Sequence, residues 1–232
     1  MIELEHTVLP STKQMEFIIE GMRNPMNSWD NSDSHICKQD GSFCMDCINP
    51  GKSIGYCLGE SDYSLMTRLA KAGTDHRKFM RMMPVYVRIT APLYWWKEAD
   101  TYKIGTVANS CSTMHKIHEK EFTFDDFSHE HIVCQTTFDY IIQELNCWRS
   151  RYIQYDEDET VGINLGMSKK DIWWQMIQLL PSSYNQTRNV MMNYEVLANI
   201  YKSRKNHKLD EWREFCSWIE NLPYSDLIIM ED

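Results

Sequence analysis

Apolar residues recur at helical intervals along most of the chain. In "STKQMEFIIEGMRN", Met15, Ile18, Ile19 and Met22 fall on one face behind hydroxyl N-cap candidates, which predicts an amphipathic first helix. "SDYSLMTRLAKAG" has a Ser or Asp cap, a Leu65, Met66, Leu69 face and a glycine stop, and predicts a short helix. "PVYVRIT" instead alternates Val85, Val87 and Ile89 with Tyr86, Arg88 and Thr90, the period of a strand with one buried face. "AP" closes that strand, and Pro92 suits the first turn of a helix over "LYWWKEADTYK". Gly105 releases the chain into a polar run predicted to be a loop.

The second half reads as four helical stretches: "TFDYIIQELNCWRSRYIQY", "SKKDIWWQMIQLLP", "QTRNVMMNYEVLANIYKSRK" and "LDEWREFCSWIENLP". An acidic loop, "DEDET", divides the first two. From "NPMNSWDNSDS" to Gly59 the chain is rich in Asn, Ser, Asp, Gly and Pro, which predicts a long loop or inserted excursion. No internal repeat or linker marks a boundary, so the expectation is one α+β domain over 1–232 with a Cys-containing insertion at about 30–60.

Composition narrows the function. With 43% hydrophobic and 12% aromatic residues in 232, a packed core is expected. The balance of 24 Lys plus Arg against 33 Asp plus Glu gives a net charge of -9, which argues against a nucleic-acid polymer as partner and leaves a single nucleotide or dinucleotide open. No apolar window is long enough for a membrane span, and "MIELEHTVLP" lacks the features of an export signal, so a cytoplasmic protein with no membrane partner is expected. Eight cysteines then read as reduced thiols. Cys37, Cys44, Cys47 and Cys57 are crowded. Cys44 and Cys47 have the gap of one half of a zinc site, with His35 nearby, while a Cys-bearing surface insertion is the alternative.

The polar groups that break pattern are the informative ones. Asn193, Leu197, Ile200 and Arg204 lie along one helical stripe, placing an amide and a guanidinium among core residues, and a buried charge needs a partner. Either Arg204 pairs with Glu211 and Asn193 caps a backbone group, or the stripe belongs to a ligand site; the sequence leaves both open. Thr106, Asn109, Ser110, Ser112 and Thr113 in the polar run offer short donors and acceptors for a phosphate or a uracil-like edge, or form an ordinary turn.

Two stretches together resemble the flavin-dependent thymidylate synthase family. That family has a strand ending in "AP", a helix, an Arg-His-Arg motif and a loop S-x-N-E-x-S-x-R-Y. Here "AP", "LYWWKEAD", "TYK" and "IGTVANSCSTMH" correspond, with Asn109 and Ser112 at the loop's Asn and Ser and Thr106 at its first Ser. The second block, "LP" and a helix N-x-R-x-L-x-N followed by Arg, His and Glu, is similar to "LLP", "NYEVLAN", Arg204, His207 and Glu211. Departures are Thr101, Tyr102 and Lys103 for Arg-His-Arg, Ser110 for the loop Glu, Met114 and His115 for Arg-Tyr, and Glu195 for the helix Arg.

The resemblance implies a thymidylate-synthase-complementing-protein-like α+β fold, a central, mostly antiparallel sheet flanked by helices in a homotetramer. It implies FAD as cofactor, NADPH and methylenetetrahydrofolate as co-substrates, and a deoxyuridine monophosphate as substrate. Arg204 and Ser112 would be catalytic, and with Thr113 would bind substrate; Tyr102, Lys103, Asn109, Asn193, Asn199 and His207 would hold the flavin. The alternatives are a related pyrimidine one-carbon modification such as hydroxymethylation, and a nucleotide-binding protein that has lost catalysis.

Overall fold

The alternating segment forms the longest strand together with a second that the pattern did not show. In a computed structural model, which describes residues 1–37, 55–157, 160, 164 and 166–229, β1 (Glu3–Val8), β4 (Pro84–Pro92), β5 (Val107–Ser110) and β6 (Asn185–Asn193) make a four-stranded sheet in the order β1-β4-β6-β5. Val85, Val87, Ile89 and Ala91 are buried and Tyr86 and Arg88 exposed, as the period of two requires. β2 (His35–Ile36) and β3 (Tyr56–Cys57) pair antiparallel, His35 opposite Cys57. With the helices below, the fold class is α+β with an antiparallel sheet.

The helices are α1 (Thr12–Arg23), α2 (Glu60–Lys71), α3 (Lys78–Arg81), α4 (Leu93–Ala99), α5 (Thr113–Lys116), α6 (Gln135–Glu157), α7 (Lys169–Leu179), α8 (Tyr194–Arg204), α9 (Asp210–Glu220) and α10 (Asp226–Ile229). Capping explains two starts. The Ser11 and Ser168 side chains accept from Gln14 N and Asp171 N, and the Gln14 and Asp171 side chains reach back to the cap N–H groups.

Four expectations are corrected. The polar run is not all loop: Val107–Ser110 is an edge strand, exposed on both faces, so it has no alternation to betray it. "QTRNVMMN" is strand rather than the first half of a helix, because pairing with neighbours overrides its mixed local preference. Pro92 ends β4 instead of opening α4. In the 24–59 excursion, two 3-10 turns (Asn24–Met26, Trp29–Asn31), β2 and β3 are ordered; Cys44 and Cys47 lie outside the described residues. No group of three His, Cys, Asp or Glu able to hold a metal occurs among the described residues, and no helix there is long and apolar enough to cross a membrane.

The described chain groups into two compact units. The first comprises 1–3, 90–99 and 110–188, the second 4–89, 100–109 and 189–232. In the first, α6 packs on α7 over an aromatic-rich core of Phe122, Phe127, Phe138, Ile142, Leu145 and Met176. Phe127 lies edge-on to Phe138 and Tyr184, the arrangement favoured by ring quadrupoles.

The second unit is organised around a carboxylate that the sequence suggested as a helix cap. Asp62 is fully buried. It takes Arg23 Nε at 2.5 Å, Ser32 Oγ at 2.7 Å, Ser34 N at 3.1 Å and Asp33 N at 3.2 Å. The first turn of α2 is capped from a distance instead: Asp33 accepts from Ser61 N and Asp62 N, and a Cβ on Gly59, the N-cap, would overlap the Asp33 carboxylate at 2.2 Å. Glycine at 59 is what lets residues 28–34 dock on the helix.

Burial alone would raise the Asp62 pKa, but hydrogen bonds from Ser34, Ser32 and Arg23 outweigh it and hold the carboxyl below the usual aspartate range. Its contribution is therefore complete above the ordinary aspartate pKa and is lost as pH falls through the folded value. Asp62→Ala, which strands Arg23 (3% exposed), is expected to remove about 3–5 kcal/mol in urea unfolding at neutral pH, with the gap from the unsubstituted protein narrowing on acidification.

Candidate functional site

Helix α8 carries the residues that broke pattern. Its start is fixed by Tyr194 N donating to Met83 O at 3.1 Å and by Asn193, whose Oδ1 accepts from Val196 N at 3.0 Å. Leu197 and Ile200 are buried along the same stripe. One turn further, Arg204 is half-buried: its Nε donates to the Tyr102 hydroxyl at 3.0 Å, and its guanidinium carbon lies 4.8 Å from the Trp212 ring centre and 5.7 Å from that of Tyr102. The ring faces fix the plane of the guanidinium and attract its charge.

His207 completes this corner. Its backbone N–H donates to Arg204 O at 2.9 Å, its ring lies 6.3 Å from Trp212, and its Nδ1 accepts from Leu209 N at 3.2 Å. That acceptor role places the proton of the neutral imidazole on Nε2. Trp212 is fully buried and supports Tyr102, Arg204 and His207 together. Its position in α9 reads in sequence as ordinary core, which hides this second use.

The turn after Tyr102 packs on the start of α8. Gly105 has φ +79°, and a Cβ there would lie 2.9 Å from Asn193 Nδ2 and 3.0 Å from Val196 Cγ2. Lys103, exposed, precedes that turn and accepts from Thr106 N through its carbonyl at 3.4 Å. Asn199 is also exposed, its Oδ1 taking an N–H of Arg77 at 3.2 Å. Asn109 lines a separate hollow of about 320 Å³ with Tyr86, Arg88, Val107 and Asn189.

Ser112 and Thr113 belong to the first unit, where they line a cleft of about 650 Å³ with Thr90, Lys116, Lys120, Tyr184, Gln186 and Thr187. Gln186 organises its wall. Its Nε2 donates to Thr113 Oγ1 at 2.9 Å, its backbone carbonyl accepts from Trp96 Nε1 at 2.8 Å, and its Oε1 accepts from Arg188 Nε at 2.9 Å. Arg188 lies over the Trp96 ring at 4.1 Å. Trp95 and Trp96 are both buried in the core. Lys116 pairs with Glu119 and Lys120 with Asp126, so the cleft's cations are partly balanced from within.

Of the residues singled out in the sequence, Tyr102, Arg204 and His207 therefore meet around Trp212, with Asn193 at the Gly105 turn. Asn109 and Asn199 have other surroundings, and Ser112 and Thr113 share the cleft of the first unit. Trp212, Gln186, Arg77 and Arg81 were not singled out. The last two show only as cations four apart in "DHRKFMR".

An α+β chain with these elements has the fold of the flavin-dependent thymidylate synthases. It is similar to a crystal structure of that enzyme from Helicobacter pylori complexed with FAD and dUMP, with TM-score 0.62 and 12% identity over 98% of this chain and 97% of that one. A second structure of the Helicobacter pylori enzyme with FAD and dUMP gives TM-score 0.61 and 13% identity over 100% of this chain and 97% of the other. No protein-family model matches the sequence, and neither does a curated protein.

The Gly105 contact is open to test. Gly105→Ala is expected to destabilise the protein by about 1–3 kcal/mol in thermal or urea unfolding, since it adds both a strained φ and a clash with the N-cap of α8.

Proposed function

We propose that the chain is a flavin-dependent thymidylate synthase-like enzyme that transfers a one-carbon unit from methylenetetrahydrofolate to a deoxyuridine monophosphate, with FAD as cofactor and NADPH as reductant. The observation that carries this reading is fold similarity along the whole chain to an enzyme crystallised with FAD and dUMP. The chain would act as one domain, β4 and β6 each supplying residues to both compact units, within a cytoplasmic homotetramer.

The residues present fit a planar, electron-rich group at the α8 corner. Tyr102 offers a ring and a hydroxyl, Lys103 an exposed ammonium, and Arg204 a guanidinium whose plane is already set. Asn193 and Asn199 use their Oδ1 atoms within the protein, so their Nδ2 groups are the donors that would meet flavin carbonyls, and His207 would present Nε2. FAD when bound would carry hydride between the nicotinamide and the one-carbon unit.

In this reading Arg204 donates N–H groups to a uracil carbonyl, stabilising the negative charge that develops when the ring acts as nucleophile. Preorganisation is the physical contribution: stacking on Trp212 and the bond to Tyr102 hold the guanidinium before substrate arrives. The resemblance further assigns Ser112 and Thr113 to nucleotide binding and Asn109 to the flavin.

One feature favours a second reading, a nucleotide-binding protein without turnover. Glu195 stands where the resemblance expects an arginine, and it engages two arginines of its own chain. The absorption spectrum separates the two. The enzyme reading expects a yellow protein bleached by NADPH, a mass increase of one methyl on dUMP with methylenetetrahydrofolate, and Arg204→Ala turnover lower by about 10²–10³-fold with flavin retained. A hydroxymethyl increment would redirect the reading to the related modification. Colourless protein that takes up no added FAD yet is thermally stabilised by nucleotides would replace it with the binding protein.

A further inference from the structure

The segment before β4 presents two guanidiniums to one carboxylate. Gly73, at φ +97°, turns the chain, its carbonyl accepting from His76 N at 3.1 Å and Arg77 N at 3.2 Å. Buried Phe79 and Met80 pin the short helix α3, so Arg77 and Arg81, four residues apart, project together. Both meet Glu195 in the first turn of α8. Arg77 Nε donates to Oε1 at 3.1 Å, Arg81 Nε donates to Oε2, and Arg81 Nη2 also donates to Oε1 at 3.3 Å. Arg77 Nη2 reaches Asn199 Oδ1 at 3.2 Å and Arg81 Nη2 reaches Thr74 O at 3.1 Å.

One carboxylate needs one cation. The Glu195 side chain is 11% exposed and its pKa is held down: burial would raise it, and the hydrogen bonds from Arg81 and Arg77 outweigh burial. The second guanidinium is thus in excess. Counting the neighbouring Asp75 and Lys78, the group still carries a net positive charge. Among the described residues, the Nη1 groups of both arginines have no acceptor, and Arg81 is 46% exposed. A fixed pair of guanidiniums with unused N–H groups is the donor set that phosphoryl oxygens match.

We propose that Arg77 and Arg81, positioned by Glu195, form a docking site for a phosphoryl anion, the diphosphate of a dinucleotide. Glu195 is then a positioning residue: it spends part of each fork to set the remaining N–H groups side by side. Attribution to a flavin dinucleotide rests on the function proposed above, while the anion site does not.

The test is calorimetric titration of the full chain, at low and at physiological salt, with sodium pyrophosphate, FAD and dUMP. Pyrophosphate is expected to bind, more weakly as salt rises, and to lose about tenfold or more in affinity in Arg81→Ala and further in Arg77→Ala/Arg81→Ala. Glu195→Gln decides the mechanism. It makes the region more positive, so unspecific attraction predicts tighter binding, whereas loss of the clamp predicts binding weaker by several-fold. Thermal unfolding of each variant checks folding, and exposed Arg81 gives a variant expected to fold. Absence of pyrophosphate binding, unchanged affinity in Arg81→Ala, or tighter binding in Glu195→Gln overturns the proposal. If pyrophosphate binds and FAD does not, the site stands and the flavin reading fails. If FAD binds equally to Arg81→Ala and the unsubstituted chain, the reverse holds.

Discussion

Removing a guanidinium from water is costly, and the way each arginine is compensated decides much of this structure. Arg23 is fully buried and has the costliest solution, a carboxylate with no exposure of its own, whose remaining lone pairs are satisfied by Ser32, Ser34 and the Asp33 N–H. That single network orders residues 28–34 and places Asp33 to cap α2. Had Asp62 served as the cap, Arg23 would lack its anion and the loop its organiser. Arg188 and Arg204, less buried, lie on tryptophan faces. An aromatic face compensates dehydration in part.

How much of this the sequence discloses follows from the kind of signal each element carries. Helices with one buried stripe, such as Thr12–Arg23 and Asp210–Glu220, and the strand with one buried face, Pro84–Pro92, declare themselves because burial repeats at the element's own period. Val107–Ser110 has no buried face, and Asn185–Asn193 owes its conformation to its neighbours, so neither has a local signature. Long-range polar contacts are equally silent: nothing near Glu195 in sequence announces Arg77, and nothing near Asp62 announces Arg23. The anomaly at Arg204 was legible because a charge interrupts an apolar stripe, while its support, Trp212, resembles any core tryptophan.

The same distinction explains how the fold persists at 12% identity to the Helicobacter pylori enzyme. Core positions specify volume and periodicity, which many apolar residues satisfy interchangeably. The first unit's core is mainly aromatic, and the second mixes Met, Ile, Val and Leu with buried rings such as Tyr194, Trp212 and Phe215. Polar corners are specified by pairs, and a pair survives change only when both partners shift together.

Glu195 illustrates such a shift. An acidic residue where the resemblance expects a cation would, alone, reverse the sign of the potential at the start of α8 and repel anions from it. The short helix α3 supplies Arg77 and Arg81, which restore the positive sign and fix the carboxylate in place. The cations now stand on a neighbouring segment rather than on α8 itself, so an anion approaching α8 meets a guanidinium edge held by Glu195. A replacement that neutralised Glu195 without removing an arginine would increase the charge while destroying the geometry. Sign and placement are separable properties here, and recognition of a phosphoryl group requires both.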